Sequence, residues 1–283
     1  MEPFTLVEQE YFLIKDWDEK FPGLTAGFTT KNTSGHNQSQ FGLNFGFHVN
    51  DHHDAVCQSR ETLSELIDFP LDYWVGAEQT HEVHIKKVSK DDRGKGSNSY
   101  DNAFKQTDGF FTTDEGILLT LCFADCVPLY FISADGRAVG IAHAGWKGTV
   151  NGIAEEMIRV FEKEGITRDN VSVVIGPSIC ENCYIVDEPV IKMVQNRLED
   201  VGKKTYNTIK EGQYSLNLRE LNKLILLNCG LSEEQIRMTS FCTSCHHSQF
   251  FSHRRDRGKT GRMMSFIGWK EALQKINESF SKA

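Results

Sequence analysis

The chain has 283 residues, 39% of them hydrophobic and 25% charged, with a formal net charge of −8. That length suits one large α/β domain or two interlocked halves, with enough apolar residues for a packed core. The acidic balance argues against a nucleic-acid partner, so an anionic ligand has to be held by a few local cations.

No run approaches the ~20 apolar residues that a membrane-spanning helix needs. The stretch "MEPFTLVEQEYFLIKDW" lacks the basic-then-apolar order of a secretory signal. The expectation is a cytoplasmic protein without a membrane partner. Its eight cysteines, too few for a disulfide scaffold, should be reduced thiols open to metal binding or catalysis.

Residues 25–42 end in a polar loop rich in Gly, Ser and Asn, of a kind that covers sites. "LNFGFHV" (43–49) alternates like a strand, and Asn50 or Asp51 is placed to cap the helix that follows. On that helix Val56, Arg60, Leu63 and Ile67 share one face. An arginine in an apolar stripe calls for an anionic partner or a place at the rim. Residues 73–88 read as strand, connection, strand, and residues 89–102 as a long polar loop. Three strands follow, "GILLTLCF", "VPLYFIS" and "RAVGIAHA". Residues 149–165 give the clearest helix, with Val150, Ile153, Met157, Ile158 and Phe161 on one side and Gly165 as its stop. "VSVVIGP" reads as a buried strand; "EPVIKMVQNRL" and "SLNLRELNKLILLNCG" read as two further helices. Strands and helices are mixed and some strands are antiparallel neighbours, so the class is α+β (mixed α/β).

"FADCVPLYFISADGRAVGIAHAGWKG" (123–148) concentrates the chemistry. Asp135-Gly136 is a two-residue hairpin signal, which sets Pro128 opposite His143 and Cys126 opposite Gly145. Cys126 and His143 then lie on one side of the sheet as diagonal neighbours, within reach of one metal ion or of a thiol–imidazole hydrogen bond. A buried core cysteine would require no such matching of faces. A metal centre needs a third ligand, for which His81 in "EQTHEVHI" is a candidate and His84 a competitor on the opposite face. A thiol enzyme would instead need Asp125 or Gln79 to orient the histidine. After His143, "AGWKGTVNGI" runs into a helix, and Gly145, Gly148, Lys147 and the helix N-terminus suggest a small anion site.

Two further groups stand apart. Cys180-x-x-Cys183 and Cys242-x-x-Cys245 spell a four-cysteine metal set, although the 58 residues between the pairs exceed an ordinary ribbon. "GPSICENCY" also suits a turn with buried thiols, the reading the sequence favours. Arg254, Arg255 and Arg257 in "HRRDR" read as a structural or site-edge ion-pair cluster, since no glycine-rich loop or D-F-G accompanies a kinase-like "HRRD".

Taken together, "LNFGFHVND" with Arg60, "EQTHEVHI", "TDGFFTT", "FADCVPLYF", "AVGIAHAGWKGTVNGI", "IGPSICENCYIV" and "FFSHRRDRGKTGRMMSFIGW" resemble the YfiH-like family. Its members are described as multicopper polyphenol oxidases (laccase-domain proteins) and as zinc-dependent purine nucleoside phosphorylases that also deaminate adenosine. The resemblance spans nearly the whole chain and implies a single domain over residues 1–283. It implies a layered sandwich, with central mixed sheets flanked by helices, akin to the catalytic domain of cytotoxic necrotizing factor. It also implies His81, Cys126 and His143 as ligands of Zn2+, with copper possible at the same site. Glu82 stands where glycine often follows the ligand histidine, which bears on loop shape.

The implied reaction is phosphorolysis of adenosine, inosine, guanosine or methylthioadenosine, so the partners are purine nucleosides and phosphate. Phosphate would be held by Arg60, Lys147 and the helix N-terminus, with His48 and Gln79 nearby. Cys126, His143 and Asp125 are the expected catalytic groups, and Glu78 is the other carboxylate close to the ligands in sequence. Two alternatives stand beside this: a Cys-His thiol hydrolase or deamidase, and a copper-dependent polyphenol oxidase. The latter needs a blue-copper site plus a three-copper cluster, which ten scattered histidines without H-x-H pairs do not supply.

Overall fold

Two six-stranded sheets face each other in a computed structural model that describes residues 1–33, 39–202 and 205–271. The first runs in the order β1 (Phe4–Glu8), β2 (Tyr11–Ile14), β3 (Leu24–Thr29), β15 (Met263–Trp269), β7 (Ile117–Phe123) and β4 (Trp74–Val75). The second runs β14 (Ile236–Met238), β10 (Val171–Ile175), β8 (Val127–Ser133), β9 (Val139–Ala144), β6 (Gly109–Thr112) and β5 (Ile85–Lys87). Both sheets are mixed: β4 pairs parallel with β7, β14 with β10, and β5 with β6, while the other pairs are antiparallel. A small third sheet orders β11 (Ile185–Val186), β13 (Gln213–Leu216) and β12 (Tyr206–Lys210).

The helices are α1 (Lys15–Lys20), α2 (His53–Leu66), α3 (Trp146–Asn151), α4 (Ile153–Lys163), α5 (Glu188–Gly202) and α6 (Leu218–Asn228). Strand alternation builds the layers. From β8, Tyr130 and Ile132 enter the core between the two sheets with Phe28, Leu119 and Phe123, while Leu129 and Phe131 face α4 and α6. Both faces are covered, so β8 reads as a continuous apolar run rather than an alternating one. Phe111 meets Phe161 of α4 edge-on at 4.9 Å, and burying each such ring contributes about 1.5–3 kcal/mol. On the far side of the first sheet Leu63 of α2 packs with Phe45, Phe69 and Trp74. The result is the expected α+β sandwich of central sheets flanked by helices.

Several local expectations change. Residues 43–49 form turns rather than a strand, because their polar groups are spent on distant partners: Phe45 N–H donates to Arg262 O, and Phe45 O accepts from Arg60. Asp51 organises that loop instead of capping α2, accepting from Ser39, Asn44 and the N–H groups of Gln40 and His52. The helix expected over 149–165 breaks at Gly152, whose φ of +94° is left-handed and closes α3 before α4 begins. The first residues of "SLNLREL" belong to β13, and Asn217 caps α6 by accepting from Glu220 N–H. Part of the 25–42 loop, residues 34–38, lies outside the described residues.

Candidate metal centre and cavity

The site forms at the edge of the inter-sheet core where β8 begins and β9 ends. Pro128 pairs with His143 and Val127 with Ala144, the register expected from the Asp135-Gly136 turn. The loop itself is wider than a two-residue turn: Ser133 N–H donates to Ala138 O, and Gly136 alone takes a positive φ. Alternation points His143 with Ile141, and Cys126 with Pro128, toward the first sheet, and the His143 ring meets Phe123 at 5.2 Å.

His81 arrives from the connection between β4 and β5. One donor atom from each of His81, Cys126 and His143 falls within 4.8 Å of the others, and the two imidazoles stand edge to face at 4.7 Å. His84 points away and bonds Gln106 O through Nδ1. Gly145 lets the donors close up, since a Cβ there would lie 2.9 Å from the His81 ring and 3.1 Å from Cys126 Sγ. Two non-glycine residues at the site hold left-handed backbone, His81 with φ +64° and Asp125 with φ +84°.

Asp108, fully buried just before β6, organises these donors. Its carboxylate accepts from the N–H groups of Thr80, His81 and Glu82 at 3.0, 3.0 and 2.9 Å, from Thr80 Oγ1, and from His143 Nδ1 at 2.8 Å. Its own carbonyl takes His143 N–H at 2.7 Å. An ionised carboxylate only accepts, so His143 Nδ1 carries the proton and Nε2 is left toward Cys126 and His81. Three successive N–H groups wrapped on one carboxylate also set the loop around Glu82, whose side chain is exposed.

Burial works against the Cys126 thiolate, but the charge and hydrogen bond of His143 and the hydrogen bond of His81 overcome it and bring the thiol down to about 6. Burial likewise opposes His143, and Cys126 and Asp108 raise it to about 9. The metal-free centre is thus a thiolate–imidazolium pair backed by a carboxylate. In chelated protein, alkylation of Cys126 by iodoacetamide is expected to vary little between pH 7 and 8, where an ordinary thiol accelerates several-fold. Mass spectrometry of the modified peptide reads this, and a rate still climbing tenfold per pH unit contradicts the pair.

The donors open onto a cavity of about 300 Å³ lined by His48, Tyr100, Tyr184, Arg254 and Arg262, among others, a size at the lower end of small-molecule sites. His48 stands at its exposed mouth. Desolvation by the surrounding protein, then the charges of Arg262 and Arg60, lower it to about 4, so it is neutral.

The structure redistributes the other expected site residues. Arg60 is buried and meets no carboxylate among the described residues: it donates to Phe45 O, Gly96 O and Ser97 O, and lies over the Phe47 ring at 4.3 Å. Lys147 is exposed above the Trp146 ring and does not line the cavity, and α3 is too short to provide an N-terminal anion site. Gln79 lines the cavity, but its amide pairs with the backbone N–H and C=O of Cys122. The Asp125 carboxylate is held by Thr243 Oγ1, Ser252 Oγ and Arg254 N–H, an arrangement that positions the turn before Cys126. Glu78 pairs with Lys105 and lies off the cavity.

Of the arginine cluster, Arg254 lines the cavity edge and lies over Tyr184, while Arg255 pairs with Asp256 and binds the carbonyls of Thr243, Ser244 and Phe250. Sequence reasoning missed Asp108, hidden in a "TDG" that looks like a turn, and Arg262. Among the described residues the Arg262 guanidinium is hydrogen-bonded through Nη1 alone, to Thr260 O and Gly261 O.

Two imidazoles and a thiol backed by a buried carboxylate, at the edge of a β-sandwich core, form a donor set that could hold a metal ion in a layered α+β fold. A family described as multi-copper polyphenol oxidoreductase laccase matches residues 25–270, and the chain belongs to that family. It is 46% identical to purine nucleoside phosphorylase YlmD of Bacillus subtilis, covering 95% of this chain and 98% of that one. It is 32% identical to a purine nucleoside phosphorylase of Staphylococcus epidermidis, covering 93% and 98%. The crystal structure of the hypothetical protein YfiH of Bacillus licheniformis superposes with a TM-score of 0.90 at 47% identity, over 95% of this chain and all of that one. Among the described residues no helix is long and apolar enough to cross a membrane.

Proposed function

We propose that the protein is a zinc-dependent purine nucleoside phosphorylase acting on adenosine, inosine, guanosine and methylthioadenosine, and that it deaminates adenosine at the same centre. The observation that carries this reading is the three-donor set His81, Cys126 and His143 opening onto a cavity with Arg262 and Arg254, in a chain so similar to relatives bearing that name. Two imidazoles and a thiolate, with Asp108 behind one of them, suit zinc with an open position. Zinc bound there would supply Lewis-acid polarisation of a ligand oxygen.

In phosphorolysis a phosphate oxygen bonds to C1′ of the sugar as the C1′–N9 bond breaks, its electron pair leaves with the purine, and a proton reaches the base. Arg262 and Arg254 are the cations suited to hold phosphate against the sugar, the role first expected of Arg60 and Lys147. Neutral His48 can donate or accept a hydrogen bond at the mouth without adding charge. The rings of Tyr100 and Tyr184 offer apolar faces to a purine. In deamination water replaces the C6 amino group of adenosine and ammonia leaves.

Incubating zinc-loaded protein with adenosine, with and without phosphate, tests the reading. Adenine and ribose 1-phosphate should form only with phosphate, and inosine should form in either case. Formation of neither product overturns it.

One observation favours a second reading. Asp108, His143 and Cys126 stand in the order of a thiol-hydrolase triad. That reading requires hydrolysis or deamidation by chelated protein, and its loss on alkylating Cys126.

A further inference from the structure

The second cysteine set is remote in sequence but not in space. We propose that Cys180, Cys183, Cys242 and Cys245 form a structural tetrathiolate zinc site that fixes the wall of the cavity. The parallel pairing of β10 with β14 sets Ile175 beside Met238, so two chain segments leave neighbouring strand ends in the same direction. Each then makes a Cys-x-x-Cys turn. Ser178 and Cys242 form a parallel bridge, and Thr243 N–H donates to Ser178 O. The sheet thereby closes the 58-residue gap that an isolated ribbon could not.

The four sulfurs all lie within 4.8 Å of one another, with Cys183–Cys245 at 3.5 Å and Cys180–Cys245 at 3.8 Å. Zinc–sulfur bonds of about 2.3 Å in a tetrahedron place sulfurs about 3.8 Å apart, whereas a disulfide needs about 2.05 Å. Four thiols converging without a bond between them match the first geometry. Cys242 Sγ accepts the N–H groups of Cys180 at 3.2 Å and Cys245 at 3.4 Å, contacts that favour thiolate and leave lone pairs for a cation. A zinc tetrathiolate carries two negative charges. Arg219, buried with Nη1 on Thr239 O and Phe241 O, places its charge close to Cys242 and Cys180.

The cluster connects directly to the catalytic end of the fold. Thr243, inside the second turn, donates to the Asp125 carboxylate at 2.7 Å, and Ile179, next to the first, donates to Asp125 O at 3.0 Å. Asp125 precedes Cys126, so a cation locking the two turns also fixes the backbone that presents the thiolate. The cluster is therefore a positioning element and is independent of which reaction the cavity performs.

Metal counting on purified protein passed over chelating resin tests the proposal. Wild type should retain two zinc ions per chain, a His81→Ala/Cys126→Ala variant one, and a Cys183→Ser/Cys245→Ser variant one with a lower melting temperature. If the last variant does not fold, cobalt loading of His81→Ala/Cys126→Ala protein should give the intense sulfur-to-metal charge-transfer and tetrahedral d–d bands of a four-thiolate site. No metal in the His81→Ala/Cys126→Ala protein, iron in place of zinc, or Cys180, Cys183, Cys242 or Cys245 recovered as disulfides from fresh protein would overturn it.

Discussion

Replacing Cys126 by alanine is expected to lower phosphorolysis by about 10³-fold, because a lost metal centre removes several kcal/mol of transition-state stabilisation at about 1.4 kcal/mol per decade. The fold should survive. Cys126 is only half-buried at the rim of the inter-sheet core, and losing one sulfur from a cavity wall costs on the order of 1 kcal/mol. Steady-state kinetics, a urea melt and zinc content together check the prediction: activity falls, the midpoint barely moves, and one zinc ion is lost. An active Cys126→Ala protein would remove both the zinc reading and the thiol-hydrolase reading at once.

Asp108→Asn tests the layer behind the donors. One carboxylate oxygen takes Thr80 N–H, Thr80 Oγ1 and Glu82 N–H; the other takes His81 N–H and His143 Nδ1. An amide nitrogen at either place faces donors, so buried N–H groups are orphaned whichever way it turns. The expected costs are about 3 kcal/mol of stability and a 10–100-fold loss of zinc affinity. Burial opposes the Asp108 carboxylate, but the hydrogen bond and charge of His143 and the N–H groups of Glu82 and Thr80 hold it below the usual range.

A depressed carboxyl stabilises the fold above the unfolded value of about 3.9, and that contribution fades as pH falls through the lower folded value. The raised His143 works in the other direction. In metal-free protein its contribution is complete below about 6.5 and disappears as pH rises through about 9. The lowered Cys126 thiol contributes fully above about 8.5 and loses its contribution as pH falls through about 6, so the two slopes largely cancel. Urea midpoints of metal-free wild type should therefore show little net slope from this pair near neutral pH and should fall on the acid side as Asp108 protonates. Asp108→Asn should lose its own share of the acid limb, and an unchanged acid limb would contradict the assignment.

What could be read in the sequence was local. The register that sets Cys126 and His143 on one face follows from turn residues and strict alternation, and it held even though the turn is wider than a two-residue loop. The apolar face of α2 was equally plain, with Arg60 on it, although whether that arginine was buried or at the rim stayed open. Its partners were not plain, because Phe45, Gly96 and Ser97 come from separate segments and offer carbonyls instead of the anion that a buried charge suggests. Asp108 lay inside a quoted block without its role being visible, since its acceptor function appears only when the 80–82 loop folds over it. Spacing also left the convergence of the four cysteines hidden: it comes from parallel β10 and β14, a pairing that no local pattern encodes. His81 entered through the family resemblance, as spacing alone left His84 in contention.

The left-handed backbone at His81 and Asp125 gives the site a thermodynamic signature of its own. Each such residue costs about 1–3 kcal/mol relative to a relaxed chain, and the strain sits directly on His81 and beside Cys126. The rest of the sandwich carries that load for the sake of donor geometry. A descendant released from selection for the chemistry would be expected to drift toward glycine or asparagine at these two positions, becoming a sturdier and catalytically silent relative with the same fold.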